Sequence, residues 1–595
     1  MREYLLLIIM SVVFISILTI IKKKTKLNFD LYIILTITIT YSFFAFYRLG
    51  SFDMCTSYYQ PSTSDEEIIL ELVDDDNYFN TIRAISSEGK NNYYEDYQIY
   101  YNNIEIYGSN DLINYQYLTT LDQNDFVKYN SFTTDSNYQY IKLKFNSTNS
   151  IINEIAFYNN DELLNVKLFK FNEELKFNPE NLIDEQEIIP LNNTYFDETY
   201  FDEIYHVRNG LEIATSSRMY SSVHPLLGTI MISLGIKLLG FSPFGFRFFG
   251  ALISILMLPL IYLLTKKMFK NSFVSSVATI FFATDFMHYT TGRIATLEPF
   301  SIFTIILMYY FMYQYFVIKI DNKNKTVLYK YLYLTSFAMS LSWSVKWTGI
   351  YATMGIVFFY FFKLIKEYNK ENKKLIIHIL LLSIIFYVIQ PIIVYVLVYS
   401  FTTFNSAPIN NIVELFKAVY DYTIGIYNYH HNLVATHPFQ SVWYQWIFNI
   451  RPIWYYYNDN NGIINTISCF NNPLVSIAGF ISVVYCFYDT FKSKSSIALF
   501  ITVGYLSQLL PWVFVTRCVF SYHYYPSVIF LILAIAYCTN KLINKDIRYK
   551  KPIIILVLIT ILLFLLFLPV ISGLDTTKDY ISGLLQWLQS WTFYV

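Results

Sequence analysis

Long apolar stretches alternate with short polar turns through most of the chain, most of them of the roughly 17–25 residues that a helix needs to cross a bilayer. They fall near 4–21, 31–48, 248–265, 272–289, 299–317, 331–345, 348–364, 376–399, 471–488, 497–514, 526–540 and 552–571. The pattern predicts an α-helical polytopic membrane protein with about twelve transmembrane helices. Basic residues cluster at Lys22 to Lys26, Lys266 to Lys270, Lys319 to Lys330, Lys363 to Lys374, Lys492 to Lys494 and Lys541 to Lys551, always in alternate loops. Lys and Arg accumulate in cytoplasmic loops. Residues 49–247, the turns at 290–298 and 346, the loop 400–470, residues 515–525 and the tail 572–595 are then expected on the opposite, extracytoplasmic face.

The outward segment 49–190 has a different period. Stretches such as Tyr140-Ile141-Lys142-Leu143-Lys144-Phe145 alternate apolar and polar positions between Asn, Ser, Asp and Gly turns, which predicts an inserted all-β domain. The expected layout is N-terminal transmembrane helices over 1–48, the β insertion over 49–190, and an outer loop with an interfacial helix over 191–247. A transmembrane core over 248–571 and the tail 572–595 complete it. Tyr4 to Ile21 lacks a small-residue cleavage site and is closed by Lys22-Lys23-Lys24, so it reads as a retained helix rather than a signal peptide.

Composition agrees with the membrane class: 54% of the 595 residues are hydrophobic and only 15% charged. A formal net charge of -1 provides no basic field for nucleic acid. Five cysteines show no metal-ligand spacing, and no Gly-rich Walker loop, Rossmann fingerprint or nucleophile elbow is present. Every histidine except His378, and every tryptophan, falls in outward loops or at outward helix ends. Chemistry is therefore expected on one face.

On that face, Asp202 and Glu203 sit in Tyr200-Phe201-Asp202-Glu203-Ile204-Tyr205-His206, where an aromatic frame lowers the local dielectric around a carboxylate. Tyr195-Phe196-Asp197-Glu198 nearly repeats the motif five residues earlier. His224-Pro225-Leu226-Leu227-Gly228 leads into Ile230 to Leu239, too short to span and expected to lie along the membrane surface. Asp285 and Arg293 stand where two spans meet, and an arginine at such depth suits a phosphate that accepts two hydrogen bonds. Lys346 divides two apolar runs in Ser344-Val345-Lys346-Trp347-Thr348-Gly349. His430-His431 lack the carboxylate partners and shared helix face of a metal site. His437, Arg451, Arg517 and His523 occur in aromatic-rich outward stretches, including Ser521-Tyr522-His523-Tyr524-Tyr525-Pro526.

Taken in order, these motifs resemble the protein O-mannosyltransferase family of polyprenyl-phosphate-dependent glycosyltransferases, whose C-type membrane fold has eleven spans. The resemblance covers roughly 31–48 and 195–571, and the first helix is then an N-terminal addition. Leu226 and Thr229 depart from the family's His-Pro-Pro-Leu-Gly-Lys pattern, and Glu298 stands where Asp is common. Within the β insertion, Ile106-Tyr107-Gly108-Ser109-Asn110-Asp111, Tyr140-Ile141-Lys142-Leu143 and Asn153-Glu154-Ile155-Ala156-Phe157-Tyr158 resemble a discoidin-like carbohydrate-binding sandwich.

The resemblance implies transfer of a sugar, mannose foremost, from a polyprenyl-phosphate donor to Ser or Thr hydroxyls of an exported polypeptide. Asp202, with Glu203, would be the catalytic pair, Asp202 acting as general base in an inverting attack. Arg293, Lys346, His224, Glu298, Asp285, His437, Arg451, Arg517 and His523 would bind the donor phosphate and sugar. No metal or other cofactor is required, since the lipid phosphate is itself the leaving group. Membrane lipids are partners, a dimer stays open, and a bacterial plasma membrane is the expected location with the active site outside. Two alternatives remain: transfer to an envelope lipid or cell-wall glycan, and a non-enzymatic glycan receptor or lipid flippase.

Overall fold

The computed structural model describes residues 2–25, 28–74, 77–86, 104–121, 126–148, 150–171, 176–217, 219, 223–401, 409 and 411–595. Lys26 of the first basic cluster and residues 87–103 of the expected β insertion lie outside the described residues. The chain divides into two compact units, one of residues 1–47, 222–232 and 247–595, the other of 48–221 and 233–246.

The second unit is built on two antiparallel sheets. Strands β1 (Glu66–Leu72), β2 (Tyr78–Ser86), β3 (Ile104–Ser109), β4 (Gln116–Leu121), β5 (Lys128–Asn137), β6 (Tyr140–Phe145), β7 (Glu154–Asn159), β8 (Glu162–Leu163) and β9 (Val166–Lys170) are ordered β4-β3-β6-β1-β9 and β5-β2-β7-β8. Alternation sets the faces. In β6, Ile141, Leu143 and Phe145 are buried, whereas Lys142 and Lys144 reach Glu67 at 3.1 Å and Asp65 at 3.6 Å. Register follows, with Ile68 opposite Leu143 and Leu70 opposite Ile141. One hydrophobic cluster takes side chains from both sheets, among them Ile68, Phe79, Ile82, Ile106, Leu143, Ile155 and Phe157. The segment that follows, ending in α1 (Glu203–Ala214), belongs to the same compact unit.

The first unit is helical. Its N-terminal helices are Arg2–Thr25 and Phe29–Phe46, and α2 (Leu227–Leu239) and α3 (Pro243–Phe269) lead into its main part. Helices α4 (Ser272–Ala283), α5 (Phe286–Gly292), α6 (Glu298–Val317), α7 (Lys325–Val345) and α8 (Thr348–Glu367) follow. Next come α9 (Lys373–Ile384), α10 (Gln390–Ser400), α11 (Ile412–Asn432) and α12 (Trp443–Ile447), then the hairpin β10 (Ile453–Asn460) and β11 (Ile463–Cys469). Helices α13 (Pro473–Lys492), α14 (Ser496–Leu509), α15 (Tyr525–Lys545) and α16 (Lys550–Ser572) complete the unit.

Among the described residues, nine helical stretches are long and apolar enough to cross a membrane, fewer than the twelve runs in the sequence. The chain is a multi-pass helical membrane protein with an inserted β-sheet region. The predicted span 272–289 is broken: Thr284 closes α4, and Asp285 caps α5 by accepting the His288 N–H at 3.2 Å. The predicted span 376–399 forms as α9 and α10 joined by a π turn at Ile385–Ile389, with Pro391 near the start of α10. The run 331–345 lies in α7, a 21-residue helix with enough Ser, Thr, Tyr and Lys to dilute its apolar character.

Candidate functional site

The two copies of the aromatic–acidic motif have different environments. In the first, the Asp197 carboxylate accepts the Thr194 N–H at 3.2 Å, while Glu198 pairs with Lys128 at 2.8 Å and accepts from Asn193. Glu198 thereby ties the segment to the start of β5. In the second, Phe201 adopts a left-handed φ of 52°, a costly conformation for a bulky residue. Asp202 follows as the half-buried N-cap of α1, its carbonyl accepting the N–H groups of Tyr205 at 3.2 Å and His206 at 3.3 Å. Glu203 is fully buried and accepts the Tyr200 N–H at 3.2 Å. Carboxylates in a first helical turn are stabilised by the helix dipole.

In the helical unit, the α7–α8 turn places Lys346 against Glu298 at the start of α6, and the two form an ion pair whose side chains are 13% and 12% exposed. Trp343 Nε1 donates to Thr353 Oγ1 at 2.9 Å, fastening α7 to α8 across this turn. Gly349 lets the helices approach, since a Cβ there would lie 3.0 Å from the Ser342 Cβ. Lys346 Nζ also lies 5.4 Å from the centre of the Tyr522 ring. Together with Ser301, Ile302, Thr348, His523, Tyr525 and Pro526, these residues line a small, partly open cleft. A lysine held in an aromatic, partly dry cleft can bind an oxyanion and neutralise charge that develops on it.

His523 is buried between Tyr522, with ring centres 4.4 Å apart, and Trp512 at 4.6 Å. Trp446 stacks at 6.2 Å and is held by its Nε1 hydrogen bond to Ser441 Oγ at 2.9 Å. The Ile453 N–H donates to Ser521 Oγ at 3.2 Å, and Ser521 donates to the Cys469 carbonyl at 3.1 Å, tying the β10–β11 hairpin to the turn before α15. His437 packs edge-on against Phe520 at 5.1 Å and accepts the Phe439 N–H through Nδ1 at 3.1 Å. Burial moves its imidazole below the usual range.

His224 and His430 face each other with ring centres 5.2 Å apart. His430 Nε2 contacts the Val223 carbonyl at 2.8 Å and Tyr422 donates to the His224 carbonyl, so two side chains of α11 hold consecutive carbonyls of one loop. Burial first, then the Arg517 and Lys346 charges, push the His430 imidazole down to about 4, leaving it neutral at ordinary pH. Arg517 is half-buried.

Other expected donor contacts have different surroundings. The Asp285 carboxylate accepts backbone N–H groups of His288 at 3.2 Å and Asn472 at 3.0 Å, so it holds the fold together. Arg293 is buried and donates through Nη1 to the carbonyls of Phe44, Ala45 and Tyr47 at 3.0, 2.8 and 2.8 Å. A cation is favoured at a helix C-terminus. Arg451 is exposed just before β10, and neither arginine lines the cleft. Ser301, Thr348 and Tyr525 do line it; Ser301 carried no sequence signal, whereas Thr348 and Tyr525 were legible only as members of the Lys346 and His523 motifs.

Among the described residues, Glu154, Asp184 and Glu185 are the group of carboxylates close enough to share a cation, with ligand atoms within 4.8 Å of one another. Glu185 already accepts the N–H groups of Thr56 at 2.7 Å and Ser57 at 3.0 Å. Burial raises the Glu154 carboxyl to about 9, so it is a neutral acid at ordinary pH. Amides aimed at the cluster and a protonated member fit an anion-compensating arrangement better than a cation site.

Residues 186–405 match the family model of dolichyl-phosphate-mannose-protein mannosyltransferase, and residues 415–591 match that of the C-terminal four-span region of protein-O-mannosyltransferase. The chain is 20% identical over 432 residues to a polyprenol-phosphate-mannose–protein mannosyltransferase of Mycolicibacterium smegmatis, covering 62% of this chain and 82% of the relative. It is 29% identical over 84 residues to the Mycobacterium tuberculosis protein of the same description, covering 14% of this chain and 16% of that one. The solved S. cerevisiae protein O-mannosyltransferase complex bound to the sugar donor superposes with a TM-score of 0.58 at 14% identity, over 67% of this chain and 90% of that one.

Proposed function

We propose, from the premise that this chain is a membrane glycosyltransferase related to the polyprenol-phosphate-mannose–protein mannosyltransferases, that it transfers mannose from a polyprenyl monophosphate to Ser or Thr hydroxyls of exported proteins. The observation that carries the reading is the Lys346–Glu298 pair in its aromatic cleft, a cation ready to exchange a carboxylate for a phosphate. The acceptor hydroxyl oxygen attacks the anomeric carbon as Asp202 takes its proton. The bond from that carbon to the phosphate oxygen breaks, and the electron pair leaves with the lipid phosphate, inverting the anomeric centre. Lys346 and Arg517 stabilise the charge left on the phosphate. Glu203, buried beside Asp202, orients the acidic turn. Asp285 and Arg293 contribute by holding their surroundings in place. His224, His437 and His523, each packed against aromatic rings, contact the sugar and lipid, and Arg451 contacts the acceptor or the headgroups.

The β region enters the reading as a discoidin-like module, supported by its two antiparallel sheets around one core. The reaction takes place on the extracytoplasmic side of the plasma membrane, as the distribution of basic loops supports. The test supplies purified protein with labelled mannosyl-phosphopolyprenol and, separately, a Ser/Thr-rich peptide or envelope lipids. Label on the peptide is the expected result. Label confined to lipid would overturn the acceptor, and label on neither would overturn the donor.

A further inference from the structure

Helix α11 has three distinct faces. Val419, Tyr422 and Ile426 are buried in the helical unit. Glu414, Lys417 and Asp421 form an exposed charged face. Between these lies a third stripe at spacings of three and four residues, Val413, Phe416, Tyr420, Ile424 and Tyr427, whose exposures run from 39% to 73%. Solvated helices rarely present such a stripe, which amounts to a second apolar face left uncovered by the described residues.

The position of α11 along the membrane normal follows from its neighbour. Lys373–Ser400 is a 28-residue span with half of its side chains exposed, including Leu381, Ile384, Val388, Ile392, Ile393 and Leu397. In a membrane-spanning helix such an exposed apolar surface is the one that faces the acyl chains. At 1.5 Å per residue the span is about 42 Å long, matching the ~40–45 Å of a bilayer with its headgroups. With Lys373 and Lys374 in one headgroup layer, Tyr399 lies in the other. The Tyr399 and Tyr422 rings pack at 5.3 Å, so the middle of α11 sits at headgroup depth, continuous with the lipid-covered face of α10.

We infer that α11 is an interfacial helix whose Val413–Phe416–Tyr420–Ile424–Tyr427 stripe docks on the lipid surface, at the boundary between headgroups and acyl chains. Its aromatic content is that of membrane-interface belts, and its acidic and basic residues point away from the stripe toward water. Tyr422 and His430 of the same helix hold the Val223 and His224 carbonyls. Seating α11 on lipid therefore also sets the depth of the His224 loop. The inference goes beyond the proposed reaction and is tested without it.

The experiment uses the full chain in phosphatidylethanolamine–phosphatidylglycerol vesicles. Phe416→Cys, Tyr420→Cys, Tyr427→Cys and Asp421→Cys are labelled singly with a nitroxide, with the unsubstituted protein run alongside to subtract labelling of native cysteines. The three stripe labels should collide several-fold more readily with oxygen, which partitions into lipid, than with a water-soluble nickel chelate, and the label at Asp421 should show the reverse. Preferential collision with the chelate at Phe416, Tyr420 and Tyr427 would overturn the inference. Spin–spin broadening at Tyr420 that disappears on dilution with unlabelled chain would also overturn it, because a second copy would then cover the stripe. Three stripe positions keep the test decisive if one variant fails to insert.

Discussion

Lys346, in the two-residue turn between α7 and α8, is ion-paired with Glu298 in the first turn of α6, forty-eight residues away in sequence. The pair joins a site to a fold. Glu298 lies where a helix dipole favours negative charge, and Lys346 gains both that carboxylate and the face of Tyr522.

Removing one member strips the other of its ion-pair partner in a mostly buried setting, at a cost of up to about 3–5 kcal/mol. Glu298→Gln and Lys346→Met should each lower the thermal midpoint in detergent. The double variant Glu298→Leu with Lys346→Met should recover most of the loss. Function should separate from stability: Glu298→Gln retains or tightens binding of polyprenyl phosphate, whereas the double variant binds it at least tenfold more weakly. Equal phosphate binding by both would show that Lys346 does not contact the anion.

The hairpin carrying Lys346 depends on a close approach. A methyl group at Gly349 would meet Ser342, with its Oγ nearest and its Cβ 3.0 Å away. Gly349→Ala should cost about 1–3 kcal/mol through overpacking. Adding Ser342→Ala, which removes the nearest atom, should restore part of that stability and of donor binding, as read by thermal melts and lipid-phosphate titration.

Tyr422→Phe keeps the ring packed on Tyr399 while deleting the donor to the His224 carbonyl. Global stability should fall by only about 1 kcal/mol. Hydrogen exchange at residues 223–228 should speed up measurably while that of α13 stays unchanged. Unchanged exchange in the loop would mean that Tyr422 does not restrain it.

The Glu154 carboxyl, raised by burial to about 9, gives the β region a pH dependence. Between the ordinary carboxyl range near 4.5 and about 9, the folded state holds a proton that the unfolded state has lost. Stability from this group is therefore complete below the unfolded value and declines as pH rises through the folded one. Pulse proteolysis of the β region in urea should show a falling midpoint between pH 5 and 9, and Glu154→Gln should flatten the slope. A midpoint that rises over this window would contradict the assignment.

Much of this organisation is legible in local pattern. Apolar runs mark where helices form, and the alternation through Tyr140–Phe145 sets the faces of β6 as the structure has them. The break at Thr284 and Asp285 is not visible to an apolar window, because hydropathy does not register a cap. α11 is amphipathic and partly charged, so it resembles a loop until its packing partners are known. Arg293 suggests phosphate by its depth, whereas the carbonyls it meets belong to a helix some 250 residues earlier, at separations of 246 to 249. The partner of Lys346 was hidden for the same reason: sequence pattern encodes neighbours along an element and not pairs between elements.

Asp202, rather than its near copy Asp197, is proposed as the base of a sugar-transfer reaction. The most direct measurement of that role is the single-turnover rate of mannose transfer from synthetic mannosyl-phosphopolyprenol to a Ser/Thr peptide by Asp202→Asn and Asp197→Asn, each shown to be folded and inserted. The account predicts that Asp202→Asn loses transfer by about 10²–10⁴-fold, the span of general-base catalysis, with donor binding retained. Asp197→Asn should retain transfer and lose stability alone. Normal transfer by Asp202→Asn would contradict the account.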